Sequence, residues 1–109
     1  MQRLIEQPCG DGTLLEGKAG VGRVHYHLAV YQHFADEAGE AVPLQLEVEG
    51  RVTGLDDLDV GRLHGLGFEW TLQLADGRAI DFDFVDAAGD IHSTGRGLYT
   101  PARASRRGD

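Results

Sequence analysis

Three histidines lie close together in the segment RVHYHLAVYQHF, residues 23–34. His25 and His27 are two positions apart, so on a β-strand both imidazoles leave the same face, with Cβ atoms about 7 Å apart. This HxH spacing is one by which β-proteins offer two nitrogens to a single metal ion. His33 is six residues beyond His27, about 20 Å along an extended strand. We therefore predict that His33 does not join the pair.

A third ligand would have to come from the neighbouring strand. The predicted pairing with LQLEVEGRV, residues 44–52, sets Tyr31 opposite Glu47 and brings Glu49 to the face of His25 and His27. Two histidines and one carboxylate suit a divalent metal. A metal-binding protein or small metal-dependent enzyme that uses His25, His27 and Glu49 is therefore one hypothesis. In the alternative, which we favour, no cofactor is bound and the rings contact water or a neighbouring chain.

The turn at Ala75-Asp76-Gly77 sets the register of a second hairpin. A two-residue loop would place core residues opposite solvent-facing ones. A three-residue loop with its glycine left-handed at a bulge instead pairs Leu72 with Ile80 and Trp70 with Phe82. All of these side chains are apolar, so we predict the bulged turn.

Carboxylates cluster on the outward face of this hairpin. The bulged register sets Glu69 opposite Asp83, with Asp81 two residues along on the same face. Like charges directly opposite one another are mildly destabilising. The cluster is either a cation or proton-sharing site or, as we favour, a solvated acidic face.

The strands that position these groups are indicated by apolar residues at every second place. We predict that the inward positions are Val24, Tyr26, Leu28, Val30, Phe34, Leu44, Leu46, Val48, Val52, Phe68, Trp70, Leu72, Leu74, Ile80, Phe82 and Phe84. Weaker strands are predicted over 12–18, 60–65 and 91–99, and a turn or short helical insert over 55–59. The pattern predicts an all-β fold, an antiparallel meander of six to seven strands closing into a small barrel or sandwich. Residues 1–100 form one domain and residues 101–109 a disordered tail.

Composition excludes several classes of function. The whole chain has a net charge of −8. The tail carries three Arg and one Asp, a net of +2, so residues 1–100 carry a net charge of −10. Such a body repels phosphate backbones, and we predict no nucleic-acid partner. No apolar run is long enough to span a bilayer, so no membrane partner is expected. Cys9 is the single cysteine, which favours the cytoplasm and a spectator thiol.

The pattern VHYHLAVY, LEVEGRV and LQLADGRAIDFDFVDAAG, within residues 12–99, resembles small one-domain bacterial β-barrel proteins of unknown function. The resemblance implies a compact β-barrel and supplies no catalytic residues.

The leading interpretation is a non-enzymatic β-barrel module that binds a protein partner or a small ligand, with no catalytic residues assigned. Its binding face is predicted to include His25, His27, Tyr31, Glu47, Glu49, Glu69, Asp81 and Asp83. A homodimer formed through a strand edge or an aromatic face is a further expectation. Besides the metal hypothesis, a lipocalin-like small-molecule carrier with an interior pocket stays open.

Overall fold

A computed structural model describes residues 1–66, 69–95 and 97–101 of the chain. Residues 102–109 of the predicted tail (101–109) and the predicted core residue Phe68 lie outside these residues. The elements in chain order are β1 (Gln2–Glu6), β2 (Cys9–Glu16), β3 (Ala19–Glu37), β4 (Glu40–Gly54), α1 (Val60–His64), β5 (Trp70–Gln73), β6 (Ala79–Phe84) and β7 (Asp90–Gly95).

The seven strands form one antiparallel sheet in the order β1-β3-β2-β5-β6-β7-β4, and β4 also pairs with β3. The predicted all-β antiparallel fold is therefore confirmed. Two three-stranded meanders, β2-β3-β4 and β5-β6-β7, meet at both edges through β2–β5 and β4–β7. The resulting ring of six strands is not a regular barrel, and in the described residues β6 and β7 share only two residue pairs.

The inside of the ring holds a single apolar core. Among the described residues, thirteen buried hydrophobic side chains form one cluster, and most belong to the predicted inward set. Its largest fully buried side chains are Trp70 and Phe82, which lie directly opposite each other on β5 and β6. Alternation at every second residue thus identified the packed face, as expected for strands with one face in the core.

The β3–β4 hairpin is longer than the ring. Its strands continue to the Glu37–Glu40 pair, and Tyr31 lies opposite Glu47, which confirms the predicted register. The register shifts between Gln32 and Phe34, and the Gln32 amide donates to Leu44 O at 2.7 Å. Beyond this bulge the predicted inward position of Leu44 is wrong: its side chain is 49% exposed. An extra residue in one strand changes which face the following positions occupy.

The β5–β6 turn confirms the predicted bulged geometry. Leu74 N donates to Arg78 O at 2.8 Å, and Gly77 has φ +93°, in the left-handed region that favours glycine. The ladder pairs Leu72 with Ile80 and ends at the pair of Trp70 with Phe82.

Residues 60–65, predicted as a weak strand, instead contain helix α1. The Asp59 side chain accepts a hydrogen bond from Gly61 N at 3.0 Å, so it caps the helix N-terminus. The predicted turn over 55–59 is confirmed, with Asp56 and Asp57 at positive φ. A five-residue helix that starts at a capping aspartate depends on local hydrogen bonds, and a search for strand periodicity does not detect it. Within the described residues, no helix has the length and apolar character needed to cross a membrane.

Candidate functional site

A groove of about 760 Å³ crosses the outer face of β3, β4 and β7. Each of these strands contributes polar side chains to its wall: His27, Glu49, Asp90 and His92. Gln7 and Val85, which is 60% exposed, also line the groove. The groove therefore combines apolar surface with two carboxylates and two imidazoles, and none of the described residues that line it is Arg or Lys.

Glycine at position 50 permits the close approach of β3 and β4 beside this groove. Gly50 lies opposite Leu28 on β3 and opposite Ile91 on β7. A Cβ on residue 50 would lie 2.2 Å from the backbone oxygen of His27. Any other residue here would have to push the strands apart.

Glu47 lies on the outer face of β4, and its side chain contacts both β3 and β7. Its two carboxylate oxygens accept hydrogen bonds from His92 Nε2 at 2.5 Å and from His33 Nε2 at 2.6 Å. These bonds lower the pKa of Glu47 below its usual value. The prediction that His33 stands apart from His25 and His27 is consistent with this arrangement, in which His33 is paired with Glu47 on β4.

His25 is paired with β2. Its Nδ1 lies 2.8 Å from Asp11 Oδ1, and its Nε2 lies 3.9 Å from Cys9 Sγ. Asp11 is directly opposite His25, and Cys9 is directly opposite His27. The alternation of β2 therefore presents Cys9 and Asp11 on the face that carries both histidines.

The predicted metal ligands do not converge as a set. His25 and His27 face outward, as predicted, with ring centroids 6.3 Å apart. His25 is engaged by Asp11, whereas His27 and Glu49 line the groove. Across residues 1–66, 69–95 and 97–101, no group of three or more His, Cys, Asp or Glu side chains is placed to hold a metal ion.

The predicted acidic cluster on β5 and β6 is divided by the structure. Glu69 precedes β5 and is exposed, and the ladder ends before it reaches a pair with Asp83. Asp83 lies opposite His92 on β7 instead. Asp81 accepts hydrogen bonds from Thr71 Oγ1 at 2.8 Å and Tyr99 Oη at 2.7 Å. The carboxylate of Asp81 is thus hydrogen-bonded to neighbouring hydroxyl groups.

Asp90 is the groove carboxylate with a charged partner. Arg51 donates to both of its oxygens, at 2.8 and 3.3 Å, and lowers the pKa of Asp90. Glu49 has no side-chain hydrogen bond or ion pair to any residue that the structure describes. Of the two carboxylates that line the groove, Glu49 is accordingly the one that is available to a ligand.

Sequence reasoning did not find the roles of Asp11, Asp90 and His92. Asp11 is two residues from Cys9, and this spacing on a strand was the signal for a shared face. Asp90 and His92 carried no comparable signal, because their neighbours depend on the pairing of β4 with β7.

The fold and the site together define a small all-β protein with a closed strand ring and a polar groove on its outer surface. Comparisons with protein-family models, with curated proteins and with solved structures found no match to this chain. The resemblance to small bacterial β-barrel proteins stays a prediction.

Proposed function

We propose that this chain is a non-enzymatic all-β module that binds a small organic cation in its outer groove. The observation that carries the proposal is the exposed carboxylate of Glu49, which has no partner among the described residues and lies in a groove that also offers apolar surface. A ligand with an ammonium or guanidinium group and a short apolar part matches both features. The net charge of −8 favours the approach of a cation from solution.

The surroundings of Glu49 support this choice of ligand. The groove volume of about 760 Å³ lies within the range of about 300–1,000 Å³ that small-molecule sites occupy. The imidazoles of His27 and His92 line the groove on β3 and β7. They offer hydrogen-bonding nitrogens and flat faces for stacking against a guanidinium or an aromatic amine.

The test is a titration of the isotope-labelled protein with agmatine and benzylamine, followed by amide chemical shifts. Benzyl alcohol serves as the neutral control for benzylamine. We expect shifts at 27–29, 49–50 and 90–92 with the two cations and much smaller shifts with the alcohol. Glu49→Gln is expected to weaken cation binding about tenfold, the value of one charge-assisted hydrogen bond.

Glu40→Gln is the matched control, because it removes the same charge at the far end of the β3–β4 hairpin. It should change the affinity by less than twofold at physiological salt, where charges beyond about 8 Å are screened. Absence of binding by both cations, or equal weakening by the two variants, would refute the proposal.

The carrier and metal hypotheses receive less support. The core cluster fills the ring with buried side chains, and the groove that we describe lies on the outer face. For the metal hypothesis, the described residues do not form a ligand set. The cytoplasm is proposed as the location, on the ground that the chain has a single cysteine.

Self-association is a second proposal, and strand β1 supports it. Within the described residues β1 pairs only with β3, so its other edge has backbone groups available for a second copy. Leu4 and Ile5 on this strand are 44% and 52% exposed. Sedimentation of the wild type and of Ile5→Lys tests this proposal. A concentration-dependent dimer that the variant weakens is expected, and a monomer throughout would refute it.

A further inference from the structure

Cys9, His25 and Asp11 form a chain of contacts on the outer face of β2 and β3. Asp11 Oδ1 lies 2.8 Å from His25 Nδ1, and His25 Nε2 lies 3.9 Å from Cys9 Sγ. A carboxylate only accepts hydrogen bonds, so Nδ1 carries the hydrogen in this pair. In a neutral imidazole Nε2 then carries the lone pair, and Nε2 is the ring nitrogen in contact with the thiol. This is the arrangement of a nucleophile, its base and a group that orients the base.

The surroundings keep this arrangement in place without enclosing it. The two strands hold the three residues through consecutive pairs of the β2–β3 ladder. Arg23 Nη2 lies 3.8 Å from the second oxygen of Asp11. The thiol is exposed to solvent. A reactant in solution thus reaches Sγ directly.

We propose that Cys9, His25 and Asp11 form a reactive-thiol site at which Cys9 exchanges with low-molecular-weight disulfides. His25 Nε2 takes the thiol proton as Sγ attacks one sulfur of the disulfide. The new bond joins Sγ to that sulfur, and the disulfide bond breaks. The departing sulfur takes the electron pair and then the proton from His25. Cys9 is oxidised to a mixed disulfide, and the other half of the reagent leaves as a reduced thiol.

The preferred reagent follows from the net charge of the whole chain. The chain carries −8 overall, and a cationic disulfide is attracted to such a surface whereas an anionic one is repelled. We therefore expect cystamine to react faster than glutathione disulfide at low salt, with a smaller difference at high salt. The thiol proposal can be tested independently of the groove proposal, because its test detects a covalent bond at Cys9.

The test measures the rate of mixed-disulfide formation with cystamine by intact-protein mass spectrometry. Cys9 is the single cysteine, so the signal is specific to it. Assistance by a positioned base contributes about 100-fold or more in an enclosed site. For an exposed site we expect a loss of about fivefold in His25→Gln at pH 7. Asp11→Asn should show a smaller loss, because it leaves the base present and alters only its orientation.

A measurement at pH 9.5 shows whether His25 acts as a base or only affects the accessibility of the Cys9 thiol. At this pH hydroxide in solution takes the thiol proton without help from the imidazole. The rates of wild type and His25→Gln should then agree within about twofold. Among the described residues, the other ionisable side chains at or beside the ladder positions of Cys9 and His25 are Arg23, His27, Glu49 and Arg51, and all four are unchanged in these variants.

His33→Gln is the matched control, since His33 pairs with Glu47 away from the thiol. It should react at the wild-type rate at both pH values. Far-UV circular dichroism and the urea midpoint establish that each variant is folded. Equal rates for His25→Gln and His33→Gln at pH 7 would overturn the proposal, as would a loss in His25→Gln that is the same at pH 7 and pH 9.5.

Discussion

Arg78, after the β5–β6 turn, donates two hydrogen bonds to Glu6 at the end of β1, at 2.9 and 2.5 Å. The two residues are 72 positions apart in the chain. The bidentate pair lowers the pKa of Glu6 below its usual value. It connects the N-terminal strand to the second meander, with which β1 shares no ladder in the described residues.

Arg78→Gln is therefore expected to loosen β1. Both side chains are partly exposed, so the loss in unfolding free energy should be only about 1 kcal/mol. Hydrogen exchange at residues 2–6 should accelerate more than exchange in β5 and β6. Arg62→Gln is the control, because Arg62 on α1 forms no ion pair within the described part of the chain. Unchanged exchange in β1 would contradict the connecting role of Arg78.

Gly50→Ala should destabilise the ring strongly. The added Cβ would lie 2.2 Å from the His27 backbone oxygen, and we expect a loss of about 3 kcal/mol in urea unfolding. Gly20→Ala is the matched control, since its nearest neighbour would be a Leu15 methyl group at 3.9 Å. That variant should stay within about 0.5 kcal/mol of wild type. A Gly50→Ala protein of wild-type stability would show that the strands can separate here at little cost.

The buried hydroxyl of Tyr26 should contribute to the attachment of the β5–β6 turn. It accepts a hydrogen bond from Ala75 N at 3.1 Å, and Tyr26 is only 3% exposed. Tyr26→Phe removes the acceptor, so we expect a loss of about 1 kcal/mol. Tyr31→Phe, which has no hydroxyl partner among the described residues, should be near neutral. Equal urea midpoints for the two variants would be evidence against this contact.

Glu47 should stabilise the protein in a manner that depends on pH. Its pKa is lowered in the folded state by the bonds from His92 and His33. Its contribution is therefore complete above the unfolded-state pKa, near 4.5, and is lost as the pH falls through the lower folded-state value. The difference in unfolding free energy between wild type and Glu47→Gln should be larger at pH 6 than at pH 3.

Urea titrations at the two pH values measure this difference. Glu49→Gln, on the same face and two residues away, provides the control and should show little change with pH. A Glu47→Gln difference that is the same at pH 3 and pH 6 would be incompatible with a bonded carboxylate.

Most of the local structure could be predicted from the amino-acid sequence alone. Alternation in β3 placed Val24, Tyr26, Leu28 and Val30 in the core, and the apolar pairs across 75–77 selected the bulged turn. These inferences succeeded because a strand has a period of two and a short turn couples only near neighbours. The same reasoning failed at Leu44, because the bulge near Gln32 changed the face.

Which strands become neighbours depends on the tertiary structure. Glu47 is bonded to His92, 45 residues away, and Asp90 is bonded to Arg51, 39 residues away. Both contacts depend on the pairing of β4 with β7, which closes the ring. Periodicity identifies the face of a strand that is buried, but it does not specify the strand that becomes its neighbour. That choice depends on burying the whole core at once, so the groove and the partners of its charged residues emerge only in the folded chain.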